Sequence, residues 1–442
     1  MAERFVVLLI GSGGREFAFL RKLLQSPDVF VHVAPGLSGM LYFLTEEQRS
    51  RVKLHSAVKA GDVKAICQLA QEIMPDLVIV GPEDPLILGL ADELKTLGFK
   101  VFGFNASAAR LEASKAFCKK IYKDCGFPTA ESIEVASSEL ASFYLREFQR
   151  QGQPIVLKAD GPALGKGVIV VPLDHPDYWG ETERQLAMMF DPKKPLGFEA
   201  ERVLLEHRYL MLNEWSAMSI VGPNNFWFGL APTKDHKELN GKNTGGMGIV
   251  TMAPGFSYDD MLNRKPIVRQ VAEHMSDYHK TELCGIFYEG LNRMLGGVDD
   301  WVEVNARGGD PETQGQLEFI EGVPLHELLL AAVEGRPEIL KNVHMPNDKV
   351  LVGVVMASKG YPGSYEKGKQ IIIPKELLEE GMVFPAGLVC ENGKLYTAGG
   401  RVLMVMGVRK TLKEARDKVY AGVSAIEHDG ALVYREDIGI AA

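Results

Sequence analysis

Residues 154–171 read PIVLKADGPALGKGVIVV, a glycine-rich loop between two apolar runs. The loop superficially resembles a phosphate-binding P-loop, which requires GxxxxGK followed by Ser or Thr between a strand and a helix. Here only three residues separate Gly161 from Gly165, and Gly167 stands where the hydroxyl should be. The flanks PIVLKA and VIVV are both strand-like, so the segment reads as a hairpin whose tip folds over phosphates. Lys158 and Lys166 would neutralise charge there. An ordinary glycine hairpin with exposed lysines is the weaker reading.

N-terminal to this hairpin, the first hundred residues alternate strand and helix. RFVVLLIG, VFVHVAPG, PDLVIVGPE and KVFGF are strands, with REFAFLRKLLQS, VKAICQLAQEIM and ILGLADELKTLG as helices between them. That alternation predicts a parallel, doubly wound sheet, whose ligands sit at the carboxyl ends of the strands. The loops GSGGRE, APGLSG and GPEDPL lie there. In GSGGRE, Gly11 and Gly13 fit a dinucleotide fingerprint, but Glu16 occupies the third glycine position. The second strand also ends in Ala34-Pro35-Gly36, with no acid for a ribose hydroxyl. A nest of backbone N–H groups at a helix N-terminus is left, which suits a single phosphate.

From about Asn105 the pattern changes. NASAARLEASKAFCKKIYKDCG reads as a helical segment, RVLLEHRYLMLNEWSAMSIV as strands and VPLHELLLAAVEG as a helix. In WVEVNARGGDPETQ, residues 301–314, Glu303 and Asn305 are two apart on a strand and share a face. A carboxylate and an amide oxygen suit magnesium, which keeps water or phosphate in its other positions. Arg307 is placed to clamp a carboxylate, and Asp310 and Glu312 follow it. In TKDHKELNGKNTGGMG, His236 is a candidate general base, although a lone histidine is more often structural. After about residue 345, short strands alternate with Gly and Pro turns.

Composition bounds the rest. At 442 residues the chain exceeds one simple core, and roughly 150 residues per domain suggests about three domains. The net charge of -9 argues against bulk binding to nucleic acid or an anionic membrane. The five dispersed cysteines form no CxxC pair, so no zinc ribbon or disulfide frame is indicated and a cytoplasmic location is expected. FVVLLI is too short to span a membrane.

Taken together the motifs resemble the ATP-grasp ligases, and within them the phosphoribosylamine–glycine ligase family. GSGGRE, VAPG, GPEDPL, LEASKAFCK, KADGPALGKGV, KDHK, NTGGMG, NARGGDPETQ, GVVMASKGYPGSY and GGRV occur in that family's order over essentially the whole chain. The resemblance implies an α/β ATP-grasp fold with an N-terminal doubly wound domain and a β-rich C-terminal domain. The expected bounds are 1–103, 104–328 with a lid at about 125–205, and 329–442.

The resemblance also implies an ATP-dependent carboxylate–amine ligase acting on glycine and phosphoribosylamine, with ATP between two β-rich lobes. Lys115 and Lys158 would contact the phosphates, under a lid containing Gly161, Gly165, Lys166 and Gly167. The segment from Glu206 to Tyr209 would read the adenine edge, and Glu214 the ribose. Glu303 and Asn305 match magnesium (or manganese) ligands. The phosphoribosylamine would meet Gly13, Gly14, Arg15 and Glu83. The acceptor pocket would draw on Asp235, Asn243, Thr244, Gly245, Gly246, Met247 and Glu312, with Arg307, Asp310 and Lys237 as catalytic residues. A monomer or weak dimer is expected, with no nucleic-acid or membrane partner.

The chain departs from the family pattern on the side of the small substrates. Phe17 replaces a histidine, Leu37 an asparagine and Gly308 a phenylalanine. The loop at 238–243 is shorter and lacks the acidic DGDTGP run, and EHRYLMLNEWS differs from the usual hinge. Two alternatives therefore stay open: a related ligase with another carboxylate or amine, and a nucleotide-binding homologue without ligase activity.

Overall fold

A computed structural model describes residues 4–161, 167–196, 200–208, 213–294 and 296–440. The chain forms two compact units. Unit 1 comprises Met1–Ala108, Trp215–Tyr288 and Asn305–Ala442; unit 2 comprises Ala109–Glu214 and Glu289–Val304. The first and third expected segments thus fall in unit 1, while the middle one is divided between the two.

In unit 1 the N-terminal strands form a five-stranded sheet in the order Val52–Leu54, Val29–Pro35, Phe5–Gly11, Leu77–Val80, Val101–Phe102. Every pairing is parallel, as the alternation of strands and helices predicts. The central strand reads as an unbroken apolar run because Val7 to Ile10 are fully buried. Helix Gly14–Leu23 follows it and puts Phe17, Leu20 and Leu23 into the core. The expected helix ILGLADELKTLG is helical only over Leu90–Thr96, and a separate short helix, Glu83–Ile87, forms in the stretch GPEDPL expected as a loop. Gly89 lies between them at φ +84°, a left-handed conformation that ends the short helix.

A second sheet of unit 1 is antiparallel. It runs from Glu214–Gly222 through Thr233–Asp235, Gly248–Thr251, Val350–Ser358 and Arg401–Arg409 to Val383–Pro385. Strands from the middle and the end of the chain therefore share one sheet. Their inward residues, among them Ile249, Leu351 and Met404, join one apolar cluster with Val7, Phe17 and Val31. Helix Glu312–Leu317 is buried along its whole length.

Unit 2 carries a four-stranded antiparallel sheet, Ser132–Val135, Arg202–His207, Ile155–Asp160, Val168–Ile169. The last two strands confirm the hairpin expected around the glycine loop. Helices Ser138–Gln151 and Tyr178–Met189 cover it, burying Leu145, Phe148, Leu186 and Met189 against Leu157 and Leu205. The helical segment that opens unit 2 is interrupted at Ser114, whose side chain accepts from Phe117 N–H and starts helix Lys115–Asp124. Among the described residues, no helix is long and apolar enough to cross a membrane.

Candidate active site

Unit 2 gathers lysines around two carboxylates. Glu206 is buried, and its two oxygens lie 2.6 Å from Lys158 Nζ and 2.7 Å from Lys119 Nζ. Lys119 also donates to the Ala130 carbonyl at 2.7 Å, and Lys158 to the Val302 carbonyl at 3.3 Å. Burial holds the Lys115 ammonium below the usual lysine range; Glu303 opposes that shift and Lys158 adds to it. Asp160 accepts from Ser114 Oγ and from Ala116 N–H, each at 3.2 Å, and so anchors the start of the helix carrying Lys115. The Cys118 thiol is pushed up to about 12 by burial, which excludes it as a nucleophile.

In the segment Glu206–Tyr209, expected to read the adenine edge, the Glu206 carboxylate pairs with Lys119 and Lys158. Tyr209 of that expected hinge lies outside the described residues, as do Gly165 and Lys166 of the lid. Gly161 stands at φ +104° with open space on its side-chain side, and Gly167 closes the hairpin by accepting from Ala159 N–H at 2.7 Å. Glu214 opens its strand half-buried.

Glu303 and Asn305 lie on strand Asp299–Asn305, both half-buried, with Trp301 and Val304 buried. Among the described residues no three His, Cys, Asp or Glu side chains gather as a metal cage. A carboxylate and an amide oxygen alone are hard donors that leave coordination positions for phosphate and water. That donor set fits Mg²⁺ bound together with a nucleotide.

Unit 1 holds a second cluster, built around the turn GSGGRE. Gly13 N–H donates to Glu16 Oε2 at 2.6 Å, and Arg15 Nε to Glu16 Oε1 at 2.6 Å. Arg15 Nη1 donates to the Gly308 carbonyl at 2.9 Å. Arg15 and Glu16 are 6% and 2% exposed. Asp310 accepts from the Arg15 backbone N–H and from Gln314 Nε2 at 2.7 Å. A side chain on Gly14 would strike Gln314, and one on Gly13 would crowd Asp310. The turn expected to meet a phosphate at Gly13, Gly14 and Arg15 has its Gly13 and Arg15 N–H groups bonded to Glu16 and Asp310.

Beyond the turn, Arg307 Nε donates to Glu83 Oε2 at 3.3 Å. Burial raises the Glu83 carboxyl, but Arg307 and Arg15 outweigh it and hold Glu83 below its usual value. Asp310 behaves in the same way, with Arg401 and Arg15 overcoming burial. Glu312 is buried and accepts from Ser216 Oγ at 3.3 Å. Thr244 Oγ1 donates to the Lys237 carbonyl at 2.7 Å and accepts from Gly246 N–H at 3.1 Å. Gly246 stands at φ +112°, and a side chain there would strike Pro311 and Asp235. Thus Asp235 and the turn 244–246 meet the loop 310–312. Asn243 sits apart on the exposed hairpin strand Lys242–Asn243. Met247 is fully buried, its N–H bonded to His236 and its carbonyl to Val355, so it has no free group for a substrate.

Phe17, expected beside a substrate, lies in the core. It is fully buried and meets Phe384 and Phe43 edge-on, with ring centroids 5.7 Å and 6.0 Å away. Leu37 stands at the N-cap of helix Ser38–Tyr42 with no side-chain cap. His236 is held neutral, its imidazole lowered to about 4 by burial first and Arg435 second. Sequence reasoning missed Lys119, Asp160, Tyr361 and Arg401; the last two stand in the motifs YPGSY and GGRV, which were noted without a role.

A parallel-sheet N-terminal domain, a glycine-hairpin sheet and a β-rich C-terminal part define the ATP-grasp class. The biotin carboxylase domain of Hydrogenobacter thermophilus 2-oxoglutarate carboxylase shares this fold at 12% identity, with a TM-score of 0.72 over 98% of this chain and 92% of that one. A Thermotoga maritima phosphoribosylamine–glycine ligase structure matches at 28% identity with a TM-score of 0.77, over 98% of this chain and 99% of that one. The phosphoribosylglycinamide synthetase family models match residues 5–112 (N domain), 113–313 (ATP-grasp domain) and 351–441 (C domain). Phosphoribosylamine–glycine ligase of Pasteurella multocida is 37% identical over 99% of this chain and 98% of its own length. That of Synechocystis is 36% identical over 98% and 99%. The chain belongs to the phosphoribosylamine–glycine ligase family.

Proposed function

We propose that the chain joins glycine to 5-phosphoribosylamine at the expense of ATP, giving glycinamide ribonucleotide, ADP and phosphate in purine biosynthesis. The observation that carries this reading is the likeness to such ligases over nearly the whole chain at 36–37% identity. The clusters described above supply the chemistry. Lys115 and Lys158 stabilise the nucleotide phosphates, and Glu206 keeps Lys158 in place. Glu303 and Asn305 hold Mg²⁺, which would offset negative charge on the transferred phosphoryl group.

The glycine carboxylate attacks the γ-phosphorus, ADP leaves, and a glycyl phosphate forms. The ribosylamine nitrogen then attacks the glycyl carbonyl, phosphate leaves, and the nitrogen loses a proton. No protein nucleophile is needed, so the residues act by orientation and charge placement. Arg307, Glu83, Asp235, Lys237, Glu312 and the turn 244–246 orient the acceptor and glycine, and Asp310 tethers the helix start behind them. In this reading the chain works as three segments, 1–103, 104–328 and 329–442, in the cytoplasm, as a monomer or weak dimer. The free cysteines support a reducing compartment.

The test is phosphate release from ATP by purified protein, scanned over amino acids and amines. Turnover that requires both glycine and phosphoribosylamine supports the proposal. Turnover only with another pair would replace it by a related ligase activity, and ATP binding without turnover would leave a nucleotide-binding homologue.

A further inference from the structure

The turn Thr244–Gly246 is held from far along the chain. Gly245 N–H donates to Tyr361 Oη at 3.2 Å, and the Gly245 carbonyl accepts from Arg401 Nη1 at 2.6 Å. Both backbone groups of one glycine are thereby fixed by C-terminal side chains. The same guanidinium nitrogen donates to the Gly246 carbonyl at 3.4 Å and to the Asp310 backbone carbonyl. Nη2 lies 3.6 Å from Asp310 Oδ2. Space for the tyrosine is made by Gly400, where a Cβ would stand 2.5 Å from the Tyr361 ring.

A turn with two adjacent glycines has many backbone conformations to lose on ordering. Its geometry must be imposed by partners. A guanidinium suits that task, because its planar array of donors spans several carbonyls at once, which a lysine point charge does not. Neither side chain has a part in the chemistry above. We propose that Tyr361 and Arg401 are positioning residues that clasp the turn 244–246 against the 310–312 loop, and so set the acceptor geometry. The clasp gives the C-terminal segment a place in the reaction. It rests on reading the turn as part of the acceptor pocket.

The experiment combines kinetics with amide hydrogen exchange on the full-length protein. For Arg401→Ala, exchange across residues 244–247 accelerates about tenfold or more, as expected for loss of charge-assisted hydrogen bonds. KM for phosphoribosylamine rises by about the same factor while KM for ATP is unchanged. Millimolar guanidinium restores both readouts; Arg401→Lys does not. Tyr361→Phe, which keeps the ring over Gly400 and removes one hydroxyl, raises exchange at Gly245 alone, and decides the matter if the arginine variant does not fold. Unchanged exchange at 244–247 in these variants overturns the clasp. Wild-type protein without glycine-dependent turnover would overturn the proposed function instead, while the exchange measurement still decides the clasp.

Discussion

Glu206 Oε1 lies 2.6 Å from Lys158 Nζ, on adjacent strands of the unit 2 sheet, with both side chains 8% exposed. Lys119 meets the other oxygen at 2.7 Å, so one carboxylate serves two buried ammoniums. Removing one partner of a buried pair leaves an uncompensated charge, which costs about 3–5 kcal/mol. Glu206→Gln is therefore expected to lower the thermal midpoint and weaken binding of ATP and GTP alike. A preserved midpoint with altered preference between the two nucleotides would return Glu206 to the role of base reader.

Glu303→Gln keeps the shape of the strand and one oxygen but loses the charge that attracts a divalent cation. Turnover is expected to fall by about 100-fold or more, with an unchanged circular dichroism spectrum. The Mg²⁺ concentration giving half-maximal rate should rise. Near-normal turnover at ordinary Mg²⁺ would remove Glu303 from the metal site.

Phe17→His places a polar ring against Phe43 and Phe384 at a fully buried position. The loss of aromatic packing and the burial of a polar group cost about 3 kcal/mol. A lower unfolding midpoint with unaltered choice of amino acid and amine is expected. A new substrate preference at full stability would put Phe17 back beside the ligand.

The His236 imidazole, at about 4 in the fold and about 6.5 when unfolded, makes stability depend on pH. The unfolded chain binds the proton first, so stability is complete above about 6.5 and declines as pH falls toward 4. His32, also lowered to about 4 by burial, acts in the same direction. The slope contributed by His236 is at most about 1.4 kcal/mol per pH unit. Urea unfolding at pH 7 and pH 5 measures it, and His236→Gln should flatten the difference. An unchanged slope in that variant would mean the imidazole titrates normally.

Local pattern carried much of this architecture. The parallel sheet was legible because unbroken apolar strands such as Val7–Ile10 mark burial on both faces. The hairpin at 155–169 was legible because two short apolar runs flank the glycines. The break at Ser114 was not, since it depends on one side chain capping Phe117. At the site, residue types were readable and their partners were not. Arg15 invites a phosphate in sequence, and only the fold reveals that it donates to Glu16 and to the Gly308 carbonyl. Arg401 stayed silent for the same reason, since its partners Gly245 and Asp310 are distant along the chain. Phe17 was read through its neighbours in sequence, whereas its true neighbour is Phe384.

That last pairing has a consequence for synthesis. The helix bearing Phe17 emerges early from the ribosome, and the strand bearing Phe384 emerges near the end, after all of unit 2. Until then Phe17 has Phe43 beside it but lacks the Phe384 ring. Nascent or prematurely terminated chains leave that side of Phe17 uncovered, which invites aggregation and chaperone capture. The last hundred residues thus finish a core that the first twenty begin.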